Sequence, residues 1–363
     1  MSDYGAEPII LFVYDKEMNL VNMVSNYTSL IWQEDYYGLG SFYIECVDTS
    51  DNINVFKQGY YVARKGKNTA MVIRYIKKIS NENTIIVRGF TTNELLNQRT
   101  LWGTKIVNNV EQGIYDIVNS SIRGLPYFYT STAKGFTEKF ETQFTGTNVF
   151  EALVTLCEES KLGFYTEFDY RNKRHVFTVY KGKDLSYGNP YNLWKTFSPD
   201  FKNLIGSDIV NDDTIFRNVA FVAGEGEGAG RKWIEVNPFG AVGLERFELF
   251  VDARDLQKSV YADGNEIFYT DAQYNQMLYS RGVEKLNQHN KINTFIGEVN
   301  PDGFGESFYL GDIITCKSTK YGVKMDTRIL SYNEVREQGK TSLHLTLGEP
   351  EISFKKAVMI WQR

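Results

Sequence analysis

Gly224-Glu-Gly-Glu-Gly-Ala-Gly230 is the stretch of this chain whose spacing comes nearest to a known chemistry. It contains G-x-G-x-x-A after an apolar run, a pattern that cradles a dinucleotide pyrophosphate when a helix N-terminus follows. Here Arg231-Lys-Trp-Ile-Glu-Val236 follows, and it alternates like a strand. Glu225 and Glu227 would also repel phosphate. A Walker loop, G-x-x-x-x-G-K-[ST], does not fit either. The segment reads as a flexible hairpin tip. Gly224, Glu225, Gly226, Glu227, Gly228 and Arg231 form a candidate loop that contacts a partner and orders on assembly.

Other chemistry is sparse. His175, His289 and His344 lie far apart, without H-E-x-x-H, H-x-H or a Cys–His pair. No metal site, no cofactor site and no catalytic residue is therefore assigned. G-x-S-x-G is absent. The adjacent acids of Asn211-Asp212-Asp213 read as a solvated turn, although two carboxylates of a glycosidase pair could be drawn from any β-rich chain. Asp263-Gly264 and Asp302-Gly303 are turn dipeptides without the ligand series of a calcium loop. Trp102, Tyr127, Phe128, Tyr129 and Trp194 could stack on sugars if exposed.

The bulk properties bound the classes. A net charge of −5 gives no basic face for coating nucleic acid. Cys46, Cys157 and Cys316 are odd in number and widely spaced, which argues against a disulfide framework. The longest early apolar run, Ile9-Ile-Leu-Phe-Val13, lacks a basic flank, and no run approaches the roughly 18 residues of a membrane span, so no membrane anchor is expected. With 24 Tyr, 24 Phe and only 7 Pro, the composition suits sheets and large buried contacts.

The elements that must position any site are mostly strands. Alternation runs through residues 8–48 and continues in Tyr60–Arg64, Ala70–Lys77 and Asn83–Arg88, giving a first β domain over 1–100. The period then changes to three and four. Asn109–Arg123 reads as a helix ended by Gly124, and Asn148 caps a second helix with Glu151 in the capping-box position. Lys161 and Gly163 end that helix, and strands Phe164–Phe168 and His175–Tyr180 follow, so 101–205 is a small α+β insertion. Strands return over 214–250, a third helix covers Asp271–His289, and Tyr309–Lys317, Met325–Val335 and Thr341–Pro350 form a closing meander. Residues 206–363 thus make a second β domain with a helix-containing insertion near 252–295. The fold class expected is mainly β with an α+β insertion: two related β-barrel-like domains plus smaller α+β domains.

The two β domains pair in sequence. Gly59, Arg74 and Gly89 stand in the order in which Gly311, Arg328 and Gly348 recur, as Gly, strand, turn, strand with Arg, turn, strand, Gly. Any two meanders share alternation, so duplication and coincidence both remain open on this pattern alone.

The order of domains, the loop Gly224-Glu-Gly-Glu-Gly228 with Arg231, Leu310-Gly-Asp-Ile313 and Leu347-Gly-Glu-Pro350 resemble long-tailed phage baseplate hub proteins. More narrowly, the chain resembles the N-terminal structural region of siphophage tail-associated (Tal, tail-tip hub) proteins. That resemblance implies a homotrimeric ring that closes or extends the tail tube, with two tube domains per chain. It also implies a virion location at the tail tip or baseplate after assembly in the host cytoplasm. Its implied partners are the distal tail or tail tube protein, the tape-measure protein and receptor-binding or fibre proteins, with DNA passing through the lumen. Many relatives carry a C-terminal lytic or receptor-binding extension. This chain stops at Arg363, so no enzymatic activity is expected. A carbohydrate- or receptor-binding tail module and a cell-wall-degrading tail enzyme are the competing readings.

Overall fold

The computed structural model describes residues 9–262, 265–300, 303–337 and 339–348. Asp263, Gly264, Asp302, Glu349 and Pro350, which figure in the sequence reading, lie outside the described residues.

Strand follows strand at the start: β1 (Leu11–Tyr14), β2 (Leu20–Val24), β3 (Tyr27–Asp35) and β4 (Ser41–Val47). After helix α1 (Ser50–Val55) come β5 (Tyr61–Arg64), β6 (Ala70–Ile79) and β7 (Thr84–Thr91). The middle of the chain holds α2 (Glu94–Asn97), β8 (Thr104–Asn109), α3 (Val110–Ser121), β9 (Phe128–Thr130), β10 (Lys139–Thr145), α4 (Val149–Ser160), β11 (Gly163–Asp169) and β12 (Arg174–Tyr180). Beyond β13 (Thr196–Phe197) and β14 (Leu204–Asp212), an excursion carries β15 (Val219–Ala223), β16 (Trp233–Val236), β17 (Glu248–Asp252), β18 (Ser259–Ala262), β19 (Asn265–Phe268) and α5 (Asp271–Asn287). The closing strands are β20 (Ile292–Val299), β21 (Ile313–Ser318), β22 (Val323–Glu337) and β23 (Lys340–Leu347).

Local chemistry explains the elements. In β4 the alternation puts Phe42, Ile44 and Cys46 inward and leaves Ser41, Tyr43 and Glu45 on the other face. Asn109 Oδ1 accepts the Gln112 N–H at 2.9 Å and starts α3, and Asn148 Oδ1 accepts the Glu151 N–H at 3.3 Å and starts α4. Lys161 ends α4 in the left-handed region at φ 58°. Thr270 and Gln273 form a reciprocal capping box on α5.

A 13-stranded sheet joins strands from the first and last parts of the described chain, in the order β14-β20-β23-β22-β3-β4-β7-β6-β5-β1-β2, with β21 beside β22 and β13 beside β21. One core lies against it, shared by Leu11, Trp32 and Ile73 from the first half and Ile314, Ile329 and Leu345 from the second. The middle segment has its own core around Val110, Ile114, Leu153, Phe164 and Phe177. In the excursion, the sheet β16-β15-β17 packs Val222, Val236 and Val251 on Tyr274, Met277 and Leu278 of α5.

Within the large sheet one topology occurs twice. Chain order β3, β4, β5, β6, β7 gives sheet order β3-β4-β7-β6-β5, and chain order β14, β20, β21, β22, β23 gives β14-β20-β23-β22-β21. All four ladders in each set are antiparallel. Backbone details recur as well. The Gly59 and Gly311 N–H groups donate to the carbonyls of Ile73 (2.8 Å) and Ile329 (2.9 Å). Ile73 and Ile329 donate back to Tyr60 (2.8 Å) and Asp312 (2.9 Å). Both glycines have positive φ, 83° and 92°. A register irregularity falls between Ile73 and Tyr75 in one set and between Ile329 and Ser331 in the other.

The register corrects two of the sequence pairings. Arg328 stands opposite Ile313 as Val72 stands opposite Tyr61, so Arg74 corresponds to Leu330 and not to Arg328. Gly89 pairs with Ile73 as Leu347 pairs with Ile329, so Gly348 falls one residue past the position of Gly89. The physical reason is hairpin length. The β21–β22 ladder runs from Ile313↔Arg328 to Ser318↔Val323, whereas β5–β6 turns already after Ala63↔Ala70. Gly89 answers a different need: a Cβ there would lie 1.8 Å from the Val72 carbonyl oxygen.

Candidate functional site

With no catalytic cluster expected, the surfaces that join the repeated units to each other are the candidate site. The first is internal. β3 and the second half of β22 pair antiparallel from Ser331↔Asp35 to Glu337↔Ser29. Arg64, buried, reaches from β5 across this seam to Glu334 at 2.7 Å, with its guanidinium 5.2 Å from the Trp32 ring. Ser29 Oγ donates to Glu337 Oε1 at 3.0 Å. A buried charge pair is costly unless both partners are in place, so it fixes which residues face each other.

Tyr36, the residue after β3, ties three parts of the chain. Its ring is fully buried, and its hydroxyl donates to the Lys161 carbonyl at 3.1 Å and accepts the Gly182 N–H at 3.2 Å. Gly163 and Gly311 both press on the ring: a Cβ at either would lie 2.2 Å or 2.3 Å from a ring carbon. The Arg328 guanidinium stacks 5.2 Å from the same ring and its Nη1 donates to the Gly311 carbonyl at 2.5 Å. Arg74 does different work, donating from Nε to Glu94 at 2.9 Å. Sequence reasoning singled out Gly311 and Arg328 as copies of other residues. It missed Tyr36, whose only local signal is a Tyr-Tyr-Gly after a strand.

The candidate loop is the tip of the β15–β16 hairpin, with a short 3₁₀ turn at Gly228–Gly230. Arg231 does not face outward. Its side chain is 13% exposed, donates from Nε to Gly224 O at 2.9 Å and from Nη2 to Ala223 O at 2.6 Å, and pairs with Asp252. The Glu225 N–H donates to the Tyr274 hydroxyl at 2.7 Å, and its carboxylate accepts the Lys258 N–H at 2.9 Å. Gly226, Glu227 and Gly228 remain exposed. Apolar side chains in the same excursion are more open: Phe239 at 84%, Val242 at 75% and Leu244 at 96% exposure.

The remaining groups do not converge. His175 is buried between Tyr61 (5.0 Å) and Phe168 (5.6 Å), neither ring nitrogen has a hydrogen-bond partner, and burial lowers its pKa to about 4. His289 Nδ1 lies 2.8 Å from Lys285 O, and His344 Nε2 lies 3.2 Å from Ser342 Oγ. The three cysteines are buried and unpaired. Among the described residues no group of three or more His, Cys, Asp or Glu is placed to hold a metal ion. No helix of the described residues is long and apolar enough to cross a membrane. Asn211 and Asp212 belong to strand β14 and not to a turn; Asp212 Oδ1 accepts the Thr214 N–H at 2.8 Å. Of the proposed sugar-stacking aromatics, Trp102, Tyr127, Tyr129 and Trp194 are exposed, but Phe128 is buried against the middle core. A cleft of about 480 Å³ opens beside Glu34, Asp35, Lys67, Thr69 and Tyr309. Burial raises the Asp35 carboxyl there to about 6.

The model of one protein family, described as Siphovirus ReqiPepy6 Gp37-like protein, matches residues 10–349. The chain belongs to this family. The Gp37-like chain is thus a phage tail-associated protein, and a structural component of the virion. No curated protein matches it in sequence. Solved structures similar to it include a tail protein from Neisseria meningitidis MC58, with 12% identity over 94% of this chain and 97% of that one and a TM-score of 0.61. A 43 kDa tail protein of prophage MuSo2 from Shewanella oneidensis gives 12% identity, 94% and 98% coverage and a TM-score of 0.59. Prophage tail protein gp18 from Listeria monocytogenes EGD-e gives 14% identity, 98% and 100% coverage and a TM-score of 0.57. At these identities the likeness is one of fold. It spans both repeated units, the middle segment and the excursion of the Gp37-like chain.

Proposed function

We propose that this chain is the structural hub of a phage tail tip or baseplate, a homotrimer whose ring closes or extends the tail tube. The observation that carries this reading is the repeated five-strand topology, whose two copies are joined edge to edge by the β3–β22 ladder. Three chains then present six like units to a sixfold tube, which is what a duplicated subunit is suited to do. The partners proposed are the distal tail or tail tube protein, the tape-measure protein and receptor-binding or fibre proteins. The open apolar side chains Phe239, Val242 and Leu244 provide one contact surface for them. A net charge of −5 suits a lumen through which DNA slides, because cationic walls would hold its phosphates.

In this reading the chain works by assembly and carries no catalytic step. Zymography on purified peptidoglycan is expected to be blank, and cleared bands would reverse that part. Mass photometry across concentration and imaging of tails test the ring. A mass of three chains and a threefold ring at the tail end are expected; monomers throughout, with no ring in tails, would remove the hub reading.

A further inference from the structure

The internal seam has an unused counterpart at each end of the chain. β5 pairs with the start of β6 only, through Ala70, Met71 and Val72, so one edge of Tyr75–Ile79 has no strand beside it among the described residues. β21 likewise covers only the start of β22, and there the uncovered half, Ser331–Glu337, is taken by β3. At the other end β14 pairs with β20 alone, leaving its second edge without a strand among the described residues. β14 is the counterpart of β3, and Tyr75–Ile79 is the counterpart of the β22 segment that receives β3.

The geometry points to a contact between copies of this chain: β14 of one subunit pairs antiparallel with Tyr75–Ile79 of the next, repeating in trans the ladder that β3 and β22 make in cis. The register can be transferred. Trp32 is opposite Phe42 as Ile209 is opposite Phe295, and Phe42 and Phe295 are opposite Gly89 and Leu347. Ile209 therefore occupies the place of Trp32, and Asp212 that of Asp35. Ser331↔Asp35 becomes Tyr75↔Asp212, and Val335↔Ile31 becomes Ile79↔Asp208, with Lys77 opposite Val210 between them.

Side chains suit that register on both faces. On one face Lys77, exposed, would stand between Asp208 and Asp212 at the two diagonal positions, within reach of a long side chain. On the other face Ile76 and Ile209 become diagonal neighbours. Both are half-buried and packed at the margin of the shared core, so pairing would complete the burial of each. An unprotected edge next to a core margin is what a sheet protein otherwise avoids, and a second copy covering it removes the hazard. The contact is head-to-tail, so it closes into a ring or continues as a filament according to its rotation. This inference rests on the ring reading above and assigns that ring's subunit joint.

The test is a register-specific cross-link on the full chain. Lys77→Cys and Val210→Cys are combined and treated with a short bis-maleimide, while buried Cys46, Cys157 and Cys316 stay unreactive. Covalent dimers and trimers on a denaturing gel are expected from the double variant and from neither single variant, with unchanged circular dichroism. A second arm uses Lys77→Glu, expected to weaken self-association at least tenfold, and Asp208→Lys with Asp212→Lys in the same chain to restore it. Trimers by mass photometry without the cross-link and without charge-swap rescue would overturn the strand pairing and leave the hub reading standing. Monomers at every concentration would overturn both.

Discussion

Buried His175 and half-buried Asp35 carry opposite pH signatures. His175 has its pKa lowered by burial to about 4 from an ordinary value of 6.5. The unfolded chain therefore takes up a proton at a higher pH than the folded one. Its contribution to stability is complete above about pH 6.5 and is lost as pH falls towards 4. At pH 5 the loss is about 2 kcal/mol. His175→Phe, which also removes two unsatisfied ring nitrogens, is expected to raise stability at pH 5 more than at pH 8 in urea titrations. An equal gain at both values would refute the assignment. Asp35 behaves in the reverse sense, because burial raises its carboxyl to about 6. Its ionisation in the fold costs stability as pH rises from about 4 to 6, and the cost persists above that. Asp35→Asn is expected to stabilise by about 1–2 kcal/mol at pH 8 and to do nothing at pH 3.5, with the unfolding midpoint in urea as the measure. His175 was legible in sequence only as a lone histidine on a strand. Nothing local says that Tyr61 and Phe168, from different parts of the chain, enclose it.

At the scale of elements, segments with one strong period were legible and those stabilised by neighbours were not. β4, β7, α3 and α4 follow their apolar spacing closely, because each buries mainly one face. β14 and β20 escaped. Gly206, Ser207, Asp208, Asn211 and Asp212 are poor strand formers, and only pairing with β20 holds them extended. Glu111 on α3 carries no local signal that sets it apart in the sequence. It is buried, and its carboxylate accepts backbone N–H groups of Lys134 (2.6 Å), Gly135 (2.8 Å) and Phe136 (2.7 Å), fixing the segment that leads into β10. Glu111→Ala is expected to cost about 3 kcal/mol, since charge-assisted bonds are lost and three donors are stranded. Hydrogen exchange at 134–136 should rise well above that elsewhere in the middle segment; unchanged protection there would sink the clamp.

For the whole molecule, Tyr36 is the place where the first unit, the middle segment and the second unit meet. Tyr36→Ala is expected to cost roughly 3–5 kcal/mol, as for other fully buried aromatics. Faster exchange should appear together in β11 and around Gly311, and a change confined to one side would mean that the ring is only local filling. The run of most strands and helices, the Asn148 cap and the closing meander were legible in the residues themselves, because each is set by residues within a turn or a hairpin of one another. Long-range packing set the rest: the recurrence of the topology and its register, the inward turn of Arg231, the meeting of Gly163, Gly311 and Arg328 on one ring, and the joining of β1–β7 with β20–β23 in one sheet. Those depend on contacts between residues as much as 308 positions apart, as Ser29 is from Glu337, and on hairpin lengths that no local spacing encodes.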